Sequence, residues 1–286
     1  MNSKRFRVPH DEKIRLADYD TAFTGDFKSK TEAKEDLAKD IARLAELQDV
    51  LYAHDTHALL VIFQALDAAG KDSTIKHVMS GINPQGCQVY SFKAPSAEEL
   101  DHDYLWRCTM RVPERGRIGI FNRSYYEEVL VARVHPEILE HQKLPPEAMK
   151  DIWKRRFTEI NNYEEYLVAS GTRIVKFFLN VSKDEQRRRF LARIERADKN
   201  WKFAANDVKE RAFWDDYMEA YEDMFNHTST KHAPWHIIPA DHKWFMRGAV
   251  AGIVIETLES LDLQYPVVSD EHRAQLQRIR AQLENE

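Results

Sequence analysis

The sequence predicts an α/β fold, a three-layer sandwich in which helices cover both faces of a five-stranded parallel sheet. Three observations carry that expectation. Five short apolar runs alternate with longer helical patterns along the 286 residues. The first run, Leu59 to Phe63, ends in a small-residue turn that leads through Lys71 into a helix. An arginine-rich helical segment follows the fourth run.

Up to about Lys30 the chain is polar with little periodicity and reads as an extension packing on the body or on a neighbouring subunit. From Thr31 to His54 an amphipathic helix places Leu37, Ile41, Leu44, Leu47 and Leu51 on one stripe. The first strand and its helix follow, then a turn at Asn83-Pro84-Gln85-Gly86 and a second strand, Cys87 to Phe92. Ser96 and Glu99 form a capping-box pattern for one helix carrying Leu100, Tyr104, Leu105 and Cys108. A third strand, Ile118 to Phe121, delivers Asn122, Arg123 and Ser124 at its carboxyl end, where open α/β sheets gather ligands. A short helix through Tyr126 and Val134 and a longer one carrying Ile152 to Leu167 precede the fourth strand, Arg173 to Val181.

Ser182 and Glu185 start the basic helix with a second capping box, and Arg189, Arg193 and Arg196 fall at i, i+4 and i+7 on one face of it. Asp198 to Phe203 reads as a hinge, and Asp207 and Glu210 cap the next helix. The stripe Trp214, Tyr217, Met218, Tyr221, Met224 and Phe225 reads as structural. Trp235 to Ile238 is the fifth strand, Lys243 to Leu261 a covering helix, and Ser269 to Glu286 an amphipathic helix with Leu276, Ile279 and Leu283 on one side.

Composition narrows the function classes. With 43% hydrophobic and 31% charged residues the chain is an ordinary globular protein, without an apolar stretch of membrane-spanning length or a signal peptide, which predicts a cytoplasmic location. Cys87 and Cys108 are too few for a disulfide framework, and His227, His232, His236 and His242 have no metal-ligand spacing. A net charge of −5 argues against general nucleic-acid binding. Between Arg173 and Lys202, however, ten basic residues face four acidic ones, as suits a local anionic ligand.

The turn after the first strand carries the chemistry. Leu66-Asp67-Ala68-Ala69-Gly70-Lys71-Asp72-Ser73-Thr74 has the layout of a phosphate-binding loop, with backbone N–H groups aimed at anionic oxygens and the Lys71 ammonium beside them. It departs from the usual pattern at two places. Ala65 stands where a glycine opens the loop, and Asp72 replaces the hydroxyl residue that holds magnesium, so the oxygens of Asp67, Ser73 or Thr74 are the candidates for a hard cation. Five short strands, a phosphate loop after the first and an arginine-rich insertion after the fourth match the nucleoside-monophosphate-kinase plan, a single domain over 1–286 with a mobile lid at about 183–206.

Several of these stretches, in order along nearly the whole chain, resemble the polyphosphate kinase 2 family: Gln64 to Asp72, Phe121 to Glu127, Arg188 to Arg193 with Lys199 to Lys202, Thr228 to Trp235, and Ile238 to Asp241. Many members carry Asp at the position of Asn122 and Asn at that of Glu127. Both differences are similar to the subgroup called class III, which phosphorylates nucleoside mono- and diphosphates. The resemblance implies a P-loop kinase-like fold and reversible phosphoryl transfer between inorganic polyphosphate and AMP or ADP, with guanine nucleotides as further acceptors. It also implies Mg²⁺, with Mn²⁺ as a substitute, held by Asp67, and a homo-oligomer.

On that reading Asp67, Lys71, Arg123, Arg189 and Arg193 are catalytic. Ala68, Ala69, Gly70, Asp72, Ser73, Thr74, Asn122, Glu127, Arg188, Lys199, Trp201 and Lys202 bind phosphate or nucleotide. Glu127 acts on the acceptor phosphate or is simply an acidic residue in a first helical turn. Two other readings share the architecture: an ATP-dependent nucleoside or nucleotide kinase, and a non-catalytic polyanion-binding module.

Overall fold

The leucines at 37, 44, 47 and 51 are buried along α1 (Lys30–His54), whose 3.6-residue period turns them together onto the sheet. The computed structural model describes residues 3–25, 27, 30–198, 200 and 205–286, without the side chains of 205–207. After α1 come β1 (Ala58–Gln64), α2 (Lys71–Val78), β2 (Cys87–Ser91), α3 (Ala97–Leu100), α4 (Trp106–Thr109) and β3 (Ile118–Asn122). The chain goes on through α5 (Val131–Val134), α6 (Glu137–Glu140), α7 (Pro146–Met149), α8 (Ile152–Ala169), β4 (Thr172–Asn180) and α9 (Lys183–Glu195). It ends with α10 (Ala205–Glu210), α11 (Trp214–Thr228), β5 (Trp235–Pro239), α12 (Lys243–Glu259) and α13 (Asp270–Leu283).

The five strands form one parallel sheet in the order β2-β3-β1-β4-β5. Every residue of β1 is buried, since it runs between β3 and β4 with helices over both faces. Leu59, Val61 and Phe63 pack toward α1, α2 and α12, whereas Leu60 and Ile62 pack toward α8 and α11. The edge strand β2 is only half-covered. The N-terminal extension packs on the body: Phe6 and Val8 pair with the outer side of β5, and Asn226 and Glu222 accept the N–H groups of Ile14 and Leu16.

Several local expectations need correction. The capping box at Ser96 and Glu99 forms, but its helix stops after one turn, because the Asp103 carboxylate takes the Leu105 N–H and restarts the chain as α4. Tyr125–Val129 is a 3-10 turn rather than the start of an α-helix, capped by the Ser124 hydroxyl with both tyrosines turned inward. Ser182 accepts the Glu185 N–H, but its own N–H goes to Asp241, so only half of that capping box exists. The stretch after Ala205 is α10, a 3-10 turn at Arg211–Phe213 and α11, not one helix.

His236 on β5 is buried, and burial pushes its pKa down to about 4 against a hydrogen bond with the Lys176 backbone, with the charges of Arg7 and Lys176 adding to the lowering. The ring is therefore neutral in the folded protein at pH values where an unfolded chain binds a proton. Stability is fully present above the ordinary value of 6.5 and falls as pH drops toward 4, by about 3 kcal/mol in all. Urea unfolding between pH 7 and 4 measures this, and in His236→Phe the loss over that window is expected to shrink by most of that amount.

Candidate active site

The site assembles where the carboxyl ends of β1 and β3 meet the start of α2. After Gln64 the loop bends tightly, with Ala68 in the left-handed region at φ 61° and Gly70 at φ 115°, a value that a side chain tolerates poorly. Gly70 precedes the first turn of α2, so that helix's unpaired N–H groups face the space above the loop. The Lys71 ammonium donates to the carbonyls of Ala65 (2.6 Å) and Leu66 (3.5 Å). Its burial, and next Arg123, push its pKa down to about 8 against the pull of Asp67, Glu127 and Asp72.

Arg123 lies just past the end of β3 at φ 67°, its N–H bonded to the Phe63 carbonyl. This twist turns its side chain across the loop, where it donates to Asp67 (2.9 Å) and Glu127 (2.8 Å). Glu127 foremost, then Asp67, hold the guanidinium firmly charged. Asn122 donates its amide to Asp72 at 2.8 Å. Asp67, Lys71, Asp72, Asn122, Arg123 and Glu127 are thus one cluster, drawn from two stretches of sequence far apart.

Other predicted members fall elsewhere. Thr74 is completely buried and gives its hydroxyl to the Gly70 carbonyl, so it cannot reach a ligand above the loop. Ser73, half-buried, donates to the same carbonyl. Ala69 is fully enclosed, and its contribution is backbone alone. Arg189, Arg193 and Arg196 do not converge on one face, because α9 ends at Glu195 and Arg196 is extended and paired with Asp198. Arg188 points outward and pairs with Glu185, while Arg193 lies over the Phe190 ring at 5.6 Å. Arg189 is buried beneath the loop. Lys199, Trp201 and Lys202 lie outside the described residues, as does most of the expected hinge.

An open cleft lies beside the cluster. Ala65, Leu66, Asp67, Arg123 and Glu127 line its floor, and Val131, Gln186, Glu210, Arg211, Trp214, Tyr217 and Tyr221 its walls. The aromatic wall is the main feature that sequence reasoning missed, since Trp214, Tyr217 and Tyr221 belong to the stripe read as purely structural. Helical spacing is the same for a core face and a cleft wall, so no signal in it separates the two.

Beneath the cluster, the Lys176 ammonium donates to Glu164 (2.6 Å), Tyr126 (2.7 Å) and the Thr228 carbonyl (2.8 Å). Tyr125 and Tyr126 both donate to Glu164 at 2.8 Å. Lys176 and Glu164 are wholly buried, and burial pushes the lysine's pKa down while Glu164 pulls it back. This network fixes the turn that carries Glu127.

Comparison with known proteins gives a consistent result. The family model for polyphosphate kinase 2 matches residues 27–266. An ADP-polyphosphate phosphotransferase of Rhodopseudomonas palustris is 53% identical over 99% of both chains. An AMP/ADP-polyphosphate phosphotransferase of Meiothermus ruber is 45% identical over 92% of this chain and 95% of its own. The crystal structure of polyphosphate kinase 2 from Arthrobacter aurescens TC1 superposes with a TM-score of 0.87 at 40% identity, covering 96% of each chain.

Proposed function

The chain belongs to the polyphosphate kinase 2 family, and from that premise we propose that it transfers the terminal phosphoryl group of inorganic polyphosphate reversibly to both AMP and ADP. It is a polyphosphate-dependent nucleotide phosphotransferase, and the observation that carries the reading is a phosphate loop continuous with an aromatic-walled cleft. Polyphosphate lies on the loop amides and Lys71, and the acceptor nucleotide lies in the cleft with its terminal phosphate toward Arg123. An oxygen of that phosphate attacks the end phosphorus of polyphosphate, and the bond to the rest of the chain breaks. The barrier is mostly repulsion between two polyanions, which Lys71 and Arg123 offset at the transferring group.

Asp67 and Glu127 hold the Arg123 fork in place before substrate arrives. Glu127 also lines that cleft, which supports a part in accommodating the acceptor. Mg²⁺ fits this donor set. Asp67 and the exposed Asp72 offer hard carboxylate oxygens, and among the described residues no group of three or more His, Cys, Asp or Glu could cage an ion. These carboxylates would hold a hard cation, and Mn²⁺ would serve there in place of Mg²⁺. Bound there it would neutralise phosphate charge.

Guanine nucleotides as lesser acceptors, a cytoplasmic location and self-association belong to the same reading. The exposed Leu276, Ile279 and Leu283 of α13 support the last of these.

The test is ATP formation from polyphosphate and either AMP or ADP with Mg²⁺. ATP is expected from both acceptors, and chelation by EDTA should abolish it, with Mn²⁺ restoring a part. ATP from ADP alone would overturn the dual-acceptor proposal. Turnover only with ATP as donor would favour the ordinary kinase reading, and binding without turnover the non-catalytic one.

A further inference from the structure

An arginine has five N–H donors, and Arg189 spends all five within the protein. Its Nε donates to Glu185, one terminal nitrogen to the carbonyls of Ala68 and Ala69, and the other to those of Ala240 and Asp241. One turn earlier, the Gln186 amide donates to the Asp67 carbonyl at 2.9 Å, and Arg211 in turn donates to Gln186. Three consecutive carbonyls of the loop, 67 to 69, are therefore held by the first turns of α9. A trans peptide points its C=O and N–H in opposite directions. Turning the Ala69 carbonyl down to Arg189 therefore turns the Gly70 N–H up, toward the space where an anion would sit.

The loop does not take this shape unaided. Ala68 stands in the left-handed region, which a residue with a Cβ resists, and its carbonyl is one of those that Arg189 holds. The same guanidinium ties the loop to the β5–α12 connection, where Asp241 accepts the Ser182 N–H and the Thr21 hydroxyl.

We propose that Arg189 is a positioning residue that holds the phosphate loop in its anion-binding shape and does not itself contact phosphate. The proposal rests on the phosphotransferase reading for its kinetic test, but its structural test does not. Arg189→Gln is expected to lower kcat/KM for polyphosphate on the order of a hundredfold, the effect of misplacing a binding group rather than of deleting one. The dependence of that KM on salt should stay as in the wild type, because no ionic contact to polyphosphate is lost. Ala68→Gly, which removes the left-handed strain, should recover about tenfold when added to Arg189→Gln. Amide hydrogen exchange over residues 65–71 should accelerate in Arg189→Gln and slow again in the double variant, a readout that needs no turnover.

A salt dependence weakened by about one phosphate contact, or no recovery with Ala68→Gly, would overturn the proposal. Absence of polyphosphate turnover in the wild type would instead sink the functional reading and leave the exchange result to decide the role of Arg189. Should Arg189→Gln not fold, Gln186→Leu removes the bond at Asp67, together with the one from Arg211, leaves those of Arg189 in place, and is expected to show faster loop exchange with unchanged salt dependence. Unaltered exchange there counts against the proposal.

Discussion

Lys71→Met is expected to cut polyphosphate-dependent ATP formation by a hundredfold or more, the usual scale for removing a charge aimed at a developing transition state. The effect should fall mainly on kcat, because the ammonium is needed most when charge builds on the transferring group. Stability should change little. Burial disfavours the lysine's charge, so losing it relieves a cost, while the Ala65 and Leu66 carbonyls lose a donor. The wild-type pH profile should carry the same signature. With the Lys71 pKa lowered to about 8, the free enzyme loses the ammonium as pH rises through that value, and kcat/KM should decline there. Bound phosphates favour the charged form, so the limb in kcat should lie at higher pH. A profile of kcat/KM that stays level to pH 9.5 would show that Lys71 is not the titrating group.

Lys176→Met should be the most destabilising single change on the sheet. It leaves the Glu164 carboxylate in a fully enclosed site with only Tyr125 and Tyr126 as donors. Breaking one side of a buried ion pair typically costs about 3–5 kcal/mol. Adding Glu164→Leu removes the stranded charge, and the double variant should regain much of the loss, limited by the two phenols left unpaired. Urea denaturation of the single and double variants measures both. A loss below about 1 kcal/mol in Lys176→Met would mean that water reaches the pair.

What sequence disclosed, and what it hid, follows from the kind of interaction involved. The buried run at Leu59 to Phe63 was legible because a parallel strand covered on both faces must be apolar throughout. Lys71, Asn122 and Arg123 were legible because the ends of such strands face one edge of the sheet. The part played by Arg189 was not. Apart from Glu185, its partners are backbone carbonyls, which no residue letter encodes, and an arginine looks the same whether its donors are free or spent. Glu164 and Lys176 escaped for another reason. Each reads as an ordinary helix or strand residue, and their meeting depends on how α8 lies on β4. The interruption between α3 and α4 was hidden too, because Asp103 bonding the backbone of Leu105 outweighs the helical period around it.

The position of β1 in the middle of the sheet sets an order of events at the ribosome. Residues 58–64 find one neighbour in residues 118–122 and the other in residues 172–180, and the opening residues Phe6 and Val8 wait for the last strand. A chain halted before Asn180 therefore keeps its most apolar strand half unpaired, a state prone to sticking to other nascent chains and a natural client for chaperones. The candidate cluster needs both residues 67–72 and residues 122–127, so a chain halted between them is exposed before it has assembled that site.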